Sequence, residues 1–322
     1  MIVKPRTEPL AIKKLRALLY RLPDQHPRRA ELEQEYSRRL AGFKGEQAVD
    51  YYTNLLPEED YLIFHALRLP HKQLFFQIDT LLLSQRFGLL IEIKNLSGDL
   101  FLDQHSQQLI KTVNGKNEAL SDPILQVKRQ KYQLDCLLAE RFSFKLPLLH
   151  QVAVSNSSAI LRTNPGQEHI FKEIGTAGNL LFRIKEAEQA HKKQIITPGQ
   201  MEKIKDTLLQ LHEPLNLDII SQYSISPQEI KTGVGCPRCL HLPMTWKHGF
   251  WICPRCLQKS RTAHLQAIYE YGLLYNIPFQ NSQMRAFLQL PSISTTSKLL
   301  SKAELICTGE NKYRRYHQVY GD

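Results

Sequence analysis

Two sets of residues in this 322-residue chain have the types and spacing to do chemistry. The first is Glu92 and Lys94 in the apolar run "LLIEIKNL", with Asp79 lying 13 residues before Glu92 in "FFQIDTLLL". A strand core normally excludes such residues, because an unpaired buried charge costs on the order of several kcal/mol or is neutralised. Residues two apart in a strand point to one side, so Glu92 and Lys94 project together while Ile91, Ile93 and Asn95 face the other way. Gln77 and Asp79 do the same upstream. If the two strands are neighbours, Gln77, Asp79, Glu92 and Lys94 form one polar cluster on an apolar sheet. Two close carboxylates repel, and a divalent cation such as Mg²⁺ or Mn²⁺ relieves this by taking oxygens from both. Such an ion binds a phosphate oxygen and acidifies a water, and a neighbouring lysine orients that water or stabilises developing charge. That is chemistry for cutting phosphodiester bonds. Glu-x-Lys alone is a weak signal, since it occurs at Glu92, Glu229 and Glu310, but only the first lies in an apolar strand. A simple salt bridge at a sheet edge is the competing explanation.

The second set is Cys236, Cys239, Cys253 and Cys256, two "CPRC" knuckles separated by 13 residues. Each knuckle offers two thiolates to one tetrahedral Zn²⁺, and "MTWKHGFWI" between them suits a hairpin turning near His248 and Gly249. The expectation is a zinc ribbon whose closed set of four thiolates holds a fold and does not activate water. A redox CxxC is the alternative, but it would not be repeated at ribbon spacing without a βαβ context. His241 and His248 read as loop residues. Lys247, Trp246, Phe250 and Trp251 interleave charge with aromatic rings, which suits either phosphate contact with base stacking or the packing of a very small module.

The elements that must position these residues follow from hydrophobic periodicity. Residues 10–40 read as amphipathic helix broken near "LPDQHP", and a helix from about Gly45 to Leu56 carries Glu46 in its first turn, a position that also favours an acid through the helix dipole. Three strand-like runs follow, "YLIFHALRL", "QLFFQIDTLLLSQ" and "FGLLIEIKNLSGDLFL". A helix over "SDPILQVKRQKYQLDCLLAERF" comes next, capped by Asp122 or Ser121 with Pro123 in its first turn, and then the strand "LPLLHQVAVSNSS". The expected class is α/β (α+β): a mixed sheet flanked by helices.

"FKGEQAVDYYTNLLP", "FFQIDTLLL", "LLIEIKNLSGDLFLDQ" and "DPILQVKRQKYQL", in that order, resemble the nuclease-related domain (NERD) family, a branch of the PD-(D/E)xK nucleases with a restriction-endonuclease-like core. The resemblance covers roughly residues 40–160. It implies that Glu46 matches the first-helix glutamate, Asp79 the motif aspartate, and Glu92 with Lys94 the E-x-K pair. Asp79 and Glu92, with Glu46, would be the Mg²⁺ or Mn²⁺ ligands. Gln77 and Gln126 match family glutamines that position substrate or support the site, although Gln126 also reads as an exposed helix residue. Ile78 stands where the superfamily has the proline of "PD".

The expected organisation is an N-terminal helical segment (1–40), the nuclease-like core (41–160), a mainly helical connector (161–232), the zinc ribbon (233–260) and a winged-helix-like module (261–322). In the last, Ser294, Thr295, Thr296, Ser297 and Lys298 would lie at a recognition helix and Lys312, Arg314 and Arg315 on a basic hairpin reaching phosphates. A helical unit that docks a protein is the other reading. The net charge is +11, and from Gly233 onward eleven Lys or Arg face four Asp or Glu. That suits a polyanion, DNA first and RNA second. The residues exclude a membrane-spanning apolar stretch and a signal peptide, which leads to a cytoplasmic protein. One site per chain suggests a homodimer for cutting both strands. The expected function is a metal-dependent (endo)deoxyribonuclease in DNA processing, repair or defence against foreign DNA; the alternative is an inactive nucleic-acid-binding regulator or scaffold on a nuclease-like core.

Overall fold

The computed structural model describes residues 1–275, 277–310 and 313–318. They fall into two compact units, one formed by Met1–Thr7 with Arg39–Pro214, the other by Glu8–Arg38 with the described part of Leu215–Asp322. In chain order the strands and α-helices before Pro214 are β1 (Ile2–Lys4), α1 (Leu10–Arg21), α2 (Arg29–Thr53), β2 (Leu62–His71), β3 (Leu74–Leu83), β4 (Gly88–Lys94), β5 (Gly98–Asp103), β6 (Gln108–Val113), β7 (Lys116–Ser121), α3 (Pro123–Arg141), β8 (Leu148–Val154), β9 (Ala159–Thr163), β10 (Ile174–Thr176), α4 (Leu180–Ala190) and α5 (Pro198–Leu211).

The first unit is built on a six-stranded mixed sheet in the order β1-β2-β3-β4-β8-β10. The β2-β3-β4 neighbours are antiparallel, whereas β4-β8, β8-β10 and β1-β2 are parallel. Leu81, Leu83 and Leu90 face α3 through Ile124, Val127 and Leu134. On the opposite face Ile63, Leu82, Ile91 and Ile93 meet Val49 of α2 and Leu180 and Ile184 of α4. Both faces of β4 are therefore buried, which is why its sequence is a nearly unbroken apolar run. Each such Leu or Ile contributes roughly 1.5–3 kcal/mol by leaving water. Asp122 caps α3, accepting the Ile124 N–H at 2.7 Å, with Pro123 at the first position. Thr197 and Gln200 form a reciprocal capping box on α5.

Two expectations about this unit need correction. The run "FGLLIEIKNLSGDLFL" is two strands in different sheets: after β4 the chain turns through 95–97, and β5 starts at Gly98, whose φ of +90° only glycine takes without strain. β5 heads a second, four-stranded sheet in the order β7-β6-β5-β9, closed by a hairpin at Asn114-Gly115. The second correction concerns Glu46. Its helix begins at Arg29, so Glu46 sits far inside α2. Gly45 beside it is a packing requirement, not a start signal: a Cβ there would collide with Asn95 Cβ and lie 2.7 Å from Ser155 Oγ.

In the second unit, α6 (Ile219–Gln222), β11 (Thr245–Lys247), β12 (Phe250–Ile252), β13 (Lys259–Ser260), α7 (Ala263–Tyr275), α8 (Asn281–Leu288), α9 (Ile293–Leu300), β14 (Leu305–Thr308) and β15 (Arg315–Gln318) follow one another. Leu15 and Leu18 of α1, with Leu22 just after it, pack with Ile219, Leu273 and Leu274. Val234, Met244, Trp251, Met284, Phe287 and Leu300 form a second core. Arg21, fully buried, joins α1 to α7 by hydrogen-bonding Glu270 at 2.7 and 2.8 Å, and it also donates to the Lys231 carbonyl at 2.9 Å. Removing one partner of such a pair costs about 3–5 kcal/mol.

Candidate active site and metal centre

The β3-β4 ladder runs from Leu83↔Gly88 to Thr80↔Ile91 and stops there. The next residue of β3 is Asp79, and its Oδ2 accepts the Ile93 N–H at 2.9 Å in place of a main-chain partner. On the other side of β3 the pairing with β2 skips one step between His65↔Thr80 and Leu67↔Ile78, where Ala66 takes a φ of 52°. The alternation slips there: Leu62 and Phe64 before the skip and Leu67 and Leu69 after it all join the same core face. Both ladders therefore give way around Asp79, turning a strand residue into a site residue.

Glu92 is almost fully buried on the α3 side of β4. Its Oε1 pairs with Lys94 Nζ at 2.7 Å, and its Oε2 accepts the Gln130 Nε2 at 2.8 Å. Lys94 Nζ also donates to Gln126 Oε1 at 2.9 Å. Gln126 and Gln130 lie four apart on α3, on one helix face. Among the described residues Gln130 Oε1 is buried without a partner, an orphaned acceptor inside the site. Glu46 is bonded to Arg6, whose Nε and Nη2 reach Asp50 at 2.8 and 3.0 Å. Nη2 also touches Thr80 Oγ1 at 2.9 Å, the Asp79 carbonyl at 3.1 Å and His65 Nδ1 at 3.2 Å.

The electrostatics follow from crowding. Burial, then the charges of Glu92 and Glu46, push the Asp79 carboxyl well above its usual range, against the Ile93 N–H and Lys94. Glu46 is raised by burial and by Asp50 and Glu92, with Arg6 opposing. Burial works against the charge on Arg6, but Asp50, Glu46 and Asp79 outweigh it. Burial pushes His65 down to about 4. A set of acids raised by one another is one that a divalent cation relieves, and carboxylate oxygens with an orphaned amide oxygen are the hard donors Mg²⁺ and Mn²⁺ take. By the chemistry of its donors the site fits such an ion.

The structure thus gathers Asp79, Glu92, Lys94 and Gln126 at one end of the sheet, with Glu46 on the α2 side. Gln77 does not join them: it is exposed, faces Arg68 in the ladder and makes no hydrogen bond to the cluster among the described residues. The slip at Asp79 breaks the simple alternation that would have grouped the two. Gln130, Arg6, Asp50 and His65 are site residues that sequence reasoning missed. Gln130 carries a signal in its i+4 spacing from Gln126. Arg6 carries none, because it arrives only through β1 pairing beside β2.

The four cysteines are, among the described residues, the one group of three or more potential ligands whose atoms all lie within 4.8 Å of each other. Cys236 and Cys256 Sγ are 3.6 Å apart, as are Cys239 and Cys253. Thiolates at about 2.3 Å around a tetrahedral zinc are about 3.8 Å apart, so the cluster fits that ion. His248 and Gly249 form the two-residue turn between β11 and β12, both with positive φ, and neither His241 nor His248 enters the cluster. Trp251 is fully buried and donates to His264 Nδ1 at 3.3 Å, so this tryptophan packs the module. From Ile230 to Tyr269 the chain has no Asp or Glu. Arg238, Lys247, Arg255, Lys259 and Arg261 are all exposed there. Farther on, Lys298, Arg314 and Arg315 are exposed, Thr296 is buried, and Lys312 lies outside the described residues. Among the described residues no helix is long and apolar enough to cross a membrane.

No curated protein and no solved structure matches the chain. Residues 41–155 match the family model described as NERD, the nuclease-related domain. That segment contains Glu46, Asp79, Glu92, Lys94, Gln126 and Gln130 and excludes Arg6 and the cysteines. With a mixed sheet flanked by helices and the ordered motifs in place, the chain carries a nuclease-related domain, followed in the second unit by a four-cysteine cluster.

Proposed function

We propose that this protein is a divalent-cation-dependent nuclease that hydrolyses phosphodiester bonds of DNA in the cytoplasm, held on its substrate by the ribbon and the C-terminal helices and hairpin. The observation that carries the reading is the convergence of Asp79, Glu92 and Lys94 where the β3 ladders give way, inside a segment that matches a nuclease-related domain. Asp79 and Glu92 would hold Mg²⁺ or Mn²⁺, which when bound would polarise a phosphoryl oxygen and acidify a water. The chain's own residues set the geometry. Gln130 fixes one oxygen of Glu92, leaving the carboxylate a single orientation. Gln126 fixes Lys94, so the ammonium stays beside Glu92 where it can hold a water or meet negative charge developing on phosphate. The Ile93 N–H fixes Asp79.

The cysteine cluster would bind one structural Zn²⁺. The acid-free stretch around it supplies exposed cations for phosphates, and three helices followed by a basic hairpin suit a winged-helix-like module with Lys298, Arg314 and Arg315 outward. Two chains acting together would cut both strands. Incubating the full chain with linear, nicked, supercoiled and single-stranded DNA, and with RNA, in Mg²⁺ or Mn²⁺ tests this beside Glu92→Ala. Cleavage of DNA that disappears in the variant supports the proposal. Salt-sensitive binding without cleavage of any substrate would replace it by the inactive regulator.

A further inference from the structure

Arg6 reaches the carboxylate site from outside the domain match, and it is only 3% exposed on its side chain. All three nitrogens of its guanidinium are engaged: Nη1 with Glu46, Nε and Nη2 with Asp50, and Nη2 also with Thr80 and the Asp79 carbonyl. That carbonyl is the one released by the skipped step opposite Ala66. Arg6 is therefore locked to both α2 and β3. The acids it faces do not act alike. Glu92 is turned to Lys94 and Gln130, and Asp79 to the Ile93 N–H, whereas Glu46 is turned to Arg6. The ligand atoms of Glu46, Asp79 and Glu92 do not gather within 4.8 Å of one another, as those of the four cysteines do. The carboxylates Glu46, Asp50, Asp79 and Glu92 outnumber the two cations hydrogen-bonded to members of this set, Arg6 and Lys94, and a divalent ion relieves such crowding of negative charge.

We infer that Arg6 takes Glu46 out of the ligand set of the divalent ion, leaving Asp79 and Glu92 as the carboxylate ligands of a single ion, with the guanidinium as the permanent positive charge on the α2 side. The inference rests on the carboxylate cluster being a cation site, and it removes Glu46 from the ligands that the resemblance implies beside Asp79 and Glu92. Arg6 is a positioning residue: it touches Glu46 and the Asp79 main chain, not the reacting atoms.

The test is Mn²⁺ titration of the zinc-loaded full chain, followed by electron paramagnetic resonance and calorimetry. The wild type should take one Mn²⁺ in the core. Glu92→Gln should weaken that binding by roughly 100-fold or more, and Glu46→Gln, which keeps an oxygen for Arg6, by less than about threefold. In an Arg6→Met background Glu46 is released, and adding Glu46→Gln should then cost roughly tenfold. Circular dichroism shows whether Arg6→Met folds; if it does not, the comparison of Glu46→Gln with Glu92→Gln in the wild-type background decides. Equal losses for Glu46→Gln and Glu92→Gln, or two Mn²⁺ per core, would overturn the role of Arg6 and leave the cation site standing. No Mn²⁺ binding, or binding indifferent to Glu92→Gln, would overturn both.

Discussion

The two candidate metal sites of this chain are built on opposite plans. In the ribbon, four thiol sulfurs from two tight knuckles already lie at the spacing a tetrahedral ion requires. In the core, the three acids of the motifs have different protein partners: Asp79 a main-chain N–H, Glu92 a lysine and a glutamine, Glu46 an arginine. A site that holds a fold gains by closing its coordination completely. A site that handles substrate must keep ligand positions open, and its crowded charges are balanced by neighbouring side chains instead of by more ligands. In the ribbon Trp251 packs inward with Trp246 partly buried against it, while the apolar residues of β3 and β4 brace charged ones.

The largest contrast should appear on metal removal. Stripping zinc with a chelator, or Cys236→Ser with Cys239→Ser, should unfold the ribbon, since structural zinc supplies about 10–16 kcal/mol in small modules. Loss of the buried Trp251 emission would report it, and metal analysis should fall from one zinc per chain to none. Mn²⁺ binding by the core should survive; if it does not, the two sites are not independent. Next in size, Glu92→Ala should lower cleavage about 1,000-fold, about 4 kcal/mol in transition-state stabilisation, with little change in DNA binding. A drop confined to DNA affinity would mean that Glu92 is part of a docking surface.

A pH titration sharpens the ribbon side. His264 is held at about 4 by burial, with Lys302 adding to the effect, against an ordinary value of about 6.5. Its folded form excludes the proton, so the stability it contributes is fully present above pH 6.5 and is lost as pH falls from there through 4. The full extent is about 3 kcal/mol. His264→Gln should flatten that part of the acid limb in thermal melts of the zinc-loaded chain. The smallest effect belongs to the exposed cations. Replacing Lys247 by Ala should cut DNA affinity by about 1 kcal/mol or less and reduce the salt slope by about 0.9 on double-stranded DNA. An unchanged slope, measured by fluorescence anisotropy, would remove Lys247 from the contact surface.

Much of this architecture can be read from the chain. The cysteine spacing, the His248-Gly249 turn, the caps at Asp122 and Thr197 and the apolar runs of β2, β3 and β4 are local signals, since hydrogen bonding and φ preference act within a few residues. The pairing of an aspartate strand with an E-x-K strand is nearly local too, because a short antiparallel connection joins them. Other parts are not. Gln77 shares a strand with Asp79, yet the slip at Ala66 and Asp79 separates them, and the carbonyl left there is bonded by Arg6, 73 positions away in the chain. The start of α2 is easily misplaced, because Gly45 resembles a breaker when only its sequence neighbours are considered. Its contact with Asn95 and Ser155 shows it is a spacer.

Side-chain chemistry and backbone periodicity need no distant partner, and they are enough to say which groups this chain has to work with. Those groups are a thiolate set at zinc spacing, two carboxylates and a lysine on adjoining strands, and an acid-free basic stretch from Ile230 to Tyr269. Which group holds which is a matter for the folded chain. The N-terminal segment from Met1 to Thr7 belongs with the core, whereas Glu8–Arg38 belongs with the residues after Pro214, a division no composition shift along the chain announces. Through that folding-back Arg6 meets Glu46 and Asp50, residues 40 and 44 positions away. A charge pair of that separation forms only when the chain folds back on itself, and it gives Glu46 a partner that its own motif does not contain.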